Sequence, residues 1–317
     1  MKKLTSILLA LVVCLSCMAT VFAEETSAQT VSEKLEHVEQ YLYGTAQSGS
    51  LVSRVDSVEK DLFGNTHTGA VMSRVESITE AINGTSTGGN PSFATMLNAV
   101  EWQFADRMST DSAKTRIEQL EQTINGSTNP NESLKTRLEK LQTAAFQEGA
   151  LTSSSAILPK DSLIKVKFMN DISSKNNKAG DQVDFVVDDN VYVGETLVLP
   201  KGAKGYGTIK KIVQPRIFGR DARIDLDFSH VTAIDGTNVP VYVGDLAKQE
   251  AKTAAGAAGA SIGGMVLFGP VGIVGGAFVK GQSVTIPADT YTYVQVNKDI
   301  AINGIVQDSG VKVASVK

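Results

Sequence analysis

Residues 34 to about 146 repeat themselves with a period near 20, and this repeat limits what the chain can fold into more than any other feature. Read from the basic residue, Lys34-Leu-Glu-His-Val-Glu-Gln-Tyr-Leu-Tyr-Gly44 is matched by Arg54-Val-Asp-Ser-Val-Glu-Lys-Asp-Leu-Phe-Gly64 and by Arg74-Val-Glu-Ser-Ile-Thr-Glu-Ala-Ile-Asn-Gly84. A divergent unit holding Trp102 follows, and the pattern returns as Arg116-Ile-Glu-Gln-Leu-Glu-Gln-Thr-Ile-Asn-Gly126 and partially from Arg137. In each unit the apolar residues fall three and four apart: Leu35, Val38 and Leu42; Val55, Val58 and Leu62; Val75, Ile78 and Ile82; Ile117, Leu120 and Ile124. That spacing draws one narrow apolar seam along a helix of about 14 residues, or roughly 20 Å. A glycine suits the left-handed position where such a helix stops. A single helix of this length is marginal in water, so its seam must be buried against other units or other chains. The expectation is a helical stalk or stack over residues 24–150, with intrachain stacking and an oligomeric, coiled-coil-like bundle both open.

From Ser162 onward the apolar period changes to two. Leu163-Ile-Lys-Val-Lys-Phe-Met169 alternates, as does Arg223-Ile-Asp-Leu-Asp-Phe-Ser229, with turn signals at Ala179-Gly-Asp181, Pro200-Lys-Gly202 and Asp235-Gly236. Short alternating runs punctuated by Gly, Asp and Pro predict an antiparallel β-barrel or sandwich over 161–317, joined to the repeats by a linker at 151–160. The fold class expected is therefore α+β multidomain. Leu197-Val-Leu-Pro-Lys-Gly-Ala203 is echoed by Val284-Thr-Ile-Pro-Ala-Asp-Thr290, each a strand running into a tight turn.

Between those echoes, Thr253 to Val279 carries no charge and contains Gly256, Gly259, Gly263, Gly264, Gly269, Gly272, Gly275 and Gly276. Pro270 divides it into two arms, each too short to cross about 30 Å of hydrocarbon alone. Gly259-x-x-x-Gly263 and Gly272-x-x-x-Gly276 have the zipper spacing that lets helix backbones approach closely. This segment is expected to be an inserted helical hairpin. It either packs on its own barrel, or is a mobile loop, or acts as a membrane-inserting or self-associating element.

The first 23 residues divide as an export signal does: Lys2 and Lys3, an apolar stretch Leu4 to Val13, and Val21-Phe22-Ala23 before a cut at Glu24. Ser16-Cys17 leaves a lipid-anchored cysteine as the alternative. Both cysteines lie inside this signal, so a chain cut after Ala23 forms no disulfide and has no thiolate. Losing two lysines takes the formal charge from −4 to −6, which argues against nucleic acid as a partner.

Motifs with chemistry are scarce. Ser162-Leu-Ile-Lys165 has the S-x-x-K spacing of serine acyl-transferring enzymes, which need both side chains on one helix face. Here they open a strand and face opposite ways. Asp225 and Asp227 share a strand face with Arg223, as a solvated edge would. His37, His67 and His230 show no metal-ligand spacing. Gly202-Ala-Lys-Gly-Tyr-Gly-Thr208 lacks the ending of a phosphate loop. No cofactor, metal site or catalytic residue is expected.

Two resemblances rest on these runs. Asp181-Gln-Val-Asp-Phe-Val-Val, the Leu197–Gly207 run with its Pro-x-Gly turn, Arg223-Ile-Asp-Leu-Asp-Phe and Asp235-Gly-Thr-Asn-Val-Pro240 look like the β domain of TrbI-like conjugal-transfer channel proteins. Over residues 160 to 300 the resemblance implies a barrel with a helical hairpin that reaches the outer membrane. A cleavable signal stands where that family has an inner-membrane anchor and a proline-rich linker, and Asp289 stands where related turns have Gly. The repeats are similar to those of envelope proteins from outer-membrane-bearing Firmicutes, the Negativicutes, which implies a compartment and no activity. The expectation is a non-enzymatic scaffold or channel component, exported to the periplasm or outer-membrane-associated envelope. Its partner would be protein, either itself or an envelope component, with possible membrane contact through 253–279. The alternative is a secreted binding module whose β domain holds a ligand or surface polymer.

Overall fold

The computed structural model describes residues 29–84, 89–146, 151–214, 222–258, 266–267, 273–274 and 283–306. Among the described residues six helices of 13 residues come first: α1 (Val31–Tyr43), α2 (Leu51–Phe63), α3 (Val71–Asn83), α4 (Phe93–Ala105), α5 (Ala113–Asn125) and α6 (Leu134–Phe146). Their starts are set chemically. Thr30, Ser50, Ser92, Ser112 and Ser133 each accept a hydrogen bond from the backbone N–H three residues on. Gly44, Gly64 and Gly126 end their helices in the left-handed conformation, while Gly84 ends α3 extended.

The seam residues are buried, with Ile124 only half-buried at the end of α5. They do not form a stalk. One apolar core runs from Leu35 to Ala145, α1 lies against α3 and α5, and α2 lies against α3 and α6. The helices thus close on one another as a bundle, and units 1 and 2 bury their seams against units 5 and 6. The period dictated burial, and intrachain packing satisfies it.

The second half contains β1 (Thr152–Leu158), β2 (Leu163–Phe168), β3 (Ile172–Ser173), β4 (Gln182–Val187), β5 (Val191–Val193), β6 (Thr196–Leu199), β7 (Lys204–Val213), β8 (Arg223–Thr232), β9 (Asn238–Tyr242), α7 (Asp245–Ala258), β10 (Val266–Leu267), β11 (Ile273–Val274), β12 (Thr285–Ile286), β13 (Tyr291–Val296) and β14 (Ile300–Val306). Six strands close a barrel in the order β13-β2-β4-β7-β8-β9. Beside it, a four-stranded antiparallel sheet runs β1-β14-β6-β5. Residues 151–160 are therefore not a linker, because β1 pairs along its whole length with β14. Its run Ser153-Ser-Ser155 has no apolar alternation because β1 is an edge strand.

The echo between the turns is real and threefold. Pro159-Lys-Asp161-Ser162, Pro200-Lys-Gly202-Ala203 and Pro287-Ala-Asp289-Thr290 each close with an N–H to the proline carbonyl, at 3.3, 3.0 and 3.3 Å. The third residue is left-handed in all three, with φ of 65, 85 and 61°. Its N–H donates to a neighbouring strand end, at Val296, Val187 and Phe168 respectively. These are type II turns, and Asp is among the few residues other than Gly that accept the position. Each turn starts a barrel strand, β2, β7 or β13.

Candidate functional site

Within the bundle, the basic residue that opens each unit reaches back to the unit before it. Arg54 donates to Glu39 (2.9 and 2.7 Å), Arg74 to Glu59 (3.1 and 2.6 Å) and Arg137 to Glu121 (2.9 and 2.7 Å), each across both carboxylate oxygens, while Arg116 directs both its donors to the single Oε2 of Glu101. The same carboxylates also accept a loop N–H eight residues on, from Gln47, His67, Ser109 and Asn129. Each glutamate is therefore a staple that holds both the next helix and the loop leading to it. Burial alone would raise the carboxyls of Glu59 and Glu121. The Arg74 and Arg137 guanidiniums and the loop amides outweigh it and hold both below the usual range. Between units 3 and 4 the two staple positions hold Thr79 and Met96, so this pair is absent.

The divergent unit diverges because it has two faces to bury. Helix α4 places Leu97 and Val100 in the bundle core, and Ala99 and Trp102 against Leu151, Leu197, Ile234 and Ile305 of the β half. Asn98 occupies the place where unit 2 has Asp56, whose carboxylate accepts from Arg74. Its Oδ1 likewise accepts from Arg116 at 2.8 Å, but its Nδ2 donates to Ile234 O at 2.8 Å. An aspartate could make only the first bond. Replacing Asn98 by Asp should leave Ile234 O unpaired beside a carboxylate and cost about 1–3 kcal/mol. Chemical denaturation should locate that loss at the junction while helix content is retained.

The β6–β7 turn meets the end of α4. A Cβ on Gly202 would sit 2.1 Å from Asp106 O and 2.7 Å from Arg107 Cα. Further along, a Cβ on Gly205 would strike the Phe185 ring at 2.1 Å, and one on Gly207 would meet Asp227 O at 2.6 Å. The glycine-rich run 202–208 is thus explained by close packing on three sides.

The barrel interior is filled. Ile164, Val166, Phe168, Phe185, Val187 and Val294 are at most 1% exposed, and Phe228 packs edge-on to Phe185 (5.1 Å) and tilted to Phe168 (6.3 Å).

Outside the barrel wall lies the root of the glycine-rich segment. Gln295, 2% exposed, accepts from Ala247 N at the start of α7, and a Cβ on Gly244 would strike its Oε1. Helix α7 packs on β13, and β10 pairs antiparallel with β11, which lies against β8. Gly256 falls in α7, while Gly259, Gly263, Gly264, Gly269, Gly272, Gly275 and Gly276 lie outside the described residues. The described part of the hairpin is thus a helix followed by a short β ladder, not two helices. Val266, Ile273 and Val274 are β-branched and Leu267 is apolar, a composition that suits strands. Among the described residues no helix is long and apolar enough to cross a membrane.

The remaining motifs are dispersed. Ser162 Oγ donates to Pro159 O, whereas Lys165 Nζ lies 2.7 Å from Asp188 and 5.0 Å from the Tyr291 ring centroid. Asp225 corrects the expectation of a solvated edge: it is 6% exposed and bridged by Arg223 at 2.9 Å, while Asp227 is exposed. His37, His67 and His230 lie far apart in the chain, and among the described residues no cluster of metal-ligating side chains forms.

Fold and site together define an α+β multidomain protein in which a six-helix bundle is docked on a closed barrel. No family model and no curated protein matches the chain. Among solved structures it is similar to ComB10 of the Com type IV secretion system of Helicobacter pylori. The identity is 17%, the TM-score 0.27, and the match covers 46% of this chain and 89% of that one. A TM-score at that level does not equate two folds.

Proposed function

We propose that this chain is a non-catalytic architectural component of the bacterial cell envelope, exported by its N-terminal signal. The bundle acts as a rigid spacer on the barrel, and the uncharged arm 253–279 makes contact with membrane or with further copies. The supporting observation is the double burial of α4, which joins the bundle to the β half, beside a barrel interior lined by buried apolar side chains. A protein that held its ligand within the barrel would need space there, and the mutual packing of Phe168, Phe185 and Phe228 speaks for a structural interior instead. The two glycine-spaced arms and the absence of charge in the segment support the contact role.

Fractionation of native cells tests this. The protein should sediment with the envelope and be released by detergent rather than by salt. The double variant Gly263→Leu/Gly272→Leu should shift it to the soluble fraction or reduce its oligomer size, with the barrel still resistant to protease. Recovery of wild type as a soluble monomer after osmotic shock would remove the arm from the account.

A further inference from the structure

The geometry points to a binding site for a compact, phosphate-bearing anion in the cleft where the α4–α5 loop meets the barrel. This cleft of about 360 Å³ takes Arg107 from the bundle and Lys167, Lys201 and Lys204 from the barrel. Docking forces the approach, since Gly202, next to Lys201, is packed against Arg107 Cα. Four cations are thereby gathered from two halves of a chain whose net charge is negative.

Their own counterions are few. Among the described residues Arg107 and Lys201 make no ion pair, and Lys204 reaches only Thr110 Oγ1 at 3.4 Å. Lys167 has a loose contact to Asp289 at 3.5 Å, and that carboxylate is 82% exposed. The carboxylates at the rim, Asp106 and Asp111, lie within 4.0 Å of none of these cations. Like charges brought together without a partner oppose docking, and such local conflict is expected where a fold serves a ligand. A guanidinium fork beside three ammonium groups matches the charge and oxygen geometry of phosphate better than that of a monocarboxylate. Half-exposed Met169 supplies an apolar wall, so the phosphate could be free or the head of a lipid.

The test uses the full chain, with inorganic diphosphate as the free probe and phosphatidic-acid vesicles as the lipid one. Diphosphate should raise the melting temperature by several degrees over potassium chloride of equal ionic strength, because it binds only the docked state. Arg107→Ala/Lys201→Ala should weaken binding about tenfold or more. Lys60→Ala/Lys114→Ala, which removes two exposed charges elsewhere, should leave it unchanged. Binding to vesicles alone, lost in the cleft variant, assigns the phosphate to a lipid head. Binding to neither probe, or equal binding by both variants, overturns the site.

Discussion

Replacing Arg137 by Met is expected to destabilise the bundle by about 3–5 kcal/mol, the cost of leaving one member of a buried ion pair alone. Both side chains are 2% exposed, and Glu121 would keep only the Asn129 amide as donor. The double variant Glu121→Leu/Arg137→Met should recover most of that loss, since an apolar pair of similar volume avoids the burial of charge. Urea unfolding followed by far-UV circular dichroism separates the two. If the single variant lost less than about 1 kcal/mol, the staples would be ornaments on an apolar core. Acid probes the same network without mutation. The Glu59 and Glu121 carboxyls titrate lower in the folded protein than the ordinary 4.5, so their contribution is complete above that value. It is lost as pH falls through the folded values, because the unfolded chain then binds more protons. Unfolding should therefore become easier below about pH 4.5, and this sensitivity should be smaller in the double variant.

The second large effect is expected from Gly202→Val. Its φ of +85° is a conformation that a β-branched residue adopts only under strain, and the new Cβ would overlap the Asp106 carbonyl. A loss of about 2 kcal/mol or more follows, concentrated at the junction. Calorimetry should show one cooperative transition in wild type and two in the variant, which should also be cut under limited proteolysis conditions that wild type resists. A single transition at the wild-type temperature would mean that bundle and barrel are held elsewhere. Asn98→Asp offers a gentler version of the same separation, because it removes one bond and no volume.

Some of this was legible in the residues. The helices, their glycine ends and the need to bury their seams follow from a period that can be counted along the chain, whereas the serine starts emerged with the structure. What the period could not say was which surface buries each seam. A 3–4 spacing is equally satisfied by a neighbouring unit and by a second chain, and the closing of α1 on α5 is a property of loop geometry. The staples left a signal, since Glu39 stands 15 residues before Arg54 and Glu59 15 before Arg74, a separation that identifies partners only once the turn between helices is known. The divergent unit was the better clue: Asn98, Ala99 and Trp102 break the pattern on the face that docks. Asp225 was misread because alternation assigns residues to strand faces without saying which face the fold covers. The arm beyond Ala258 gave composition without conformation, as small residues are compatible with helix packing and with tight β ladders alike.

One feature of the second sheet bears on how the molecule carries load. β1 opens the β half and β14 is its last described strand, and they lie antiparallel with Thr152 facing Val306. A pull applied between these two residues acts at the same end of the ladder. It would peel the strands apart one hydrogen-bonded rung at a time, where a shear geometry would strain all the rungs together. Trp102 of the bundle is buried beside Leu151 and Ile305 at that end. The bundle is thus a clasp over the point where peeling must begin. A tether drawn taut from beyond Val306 would have to lift off the helices before it could unravel the barrel.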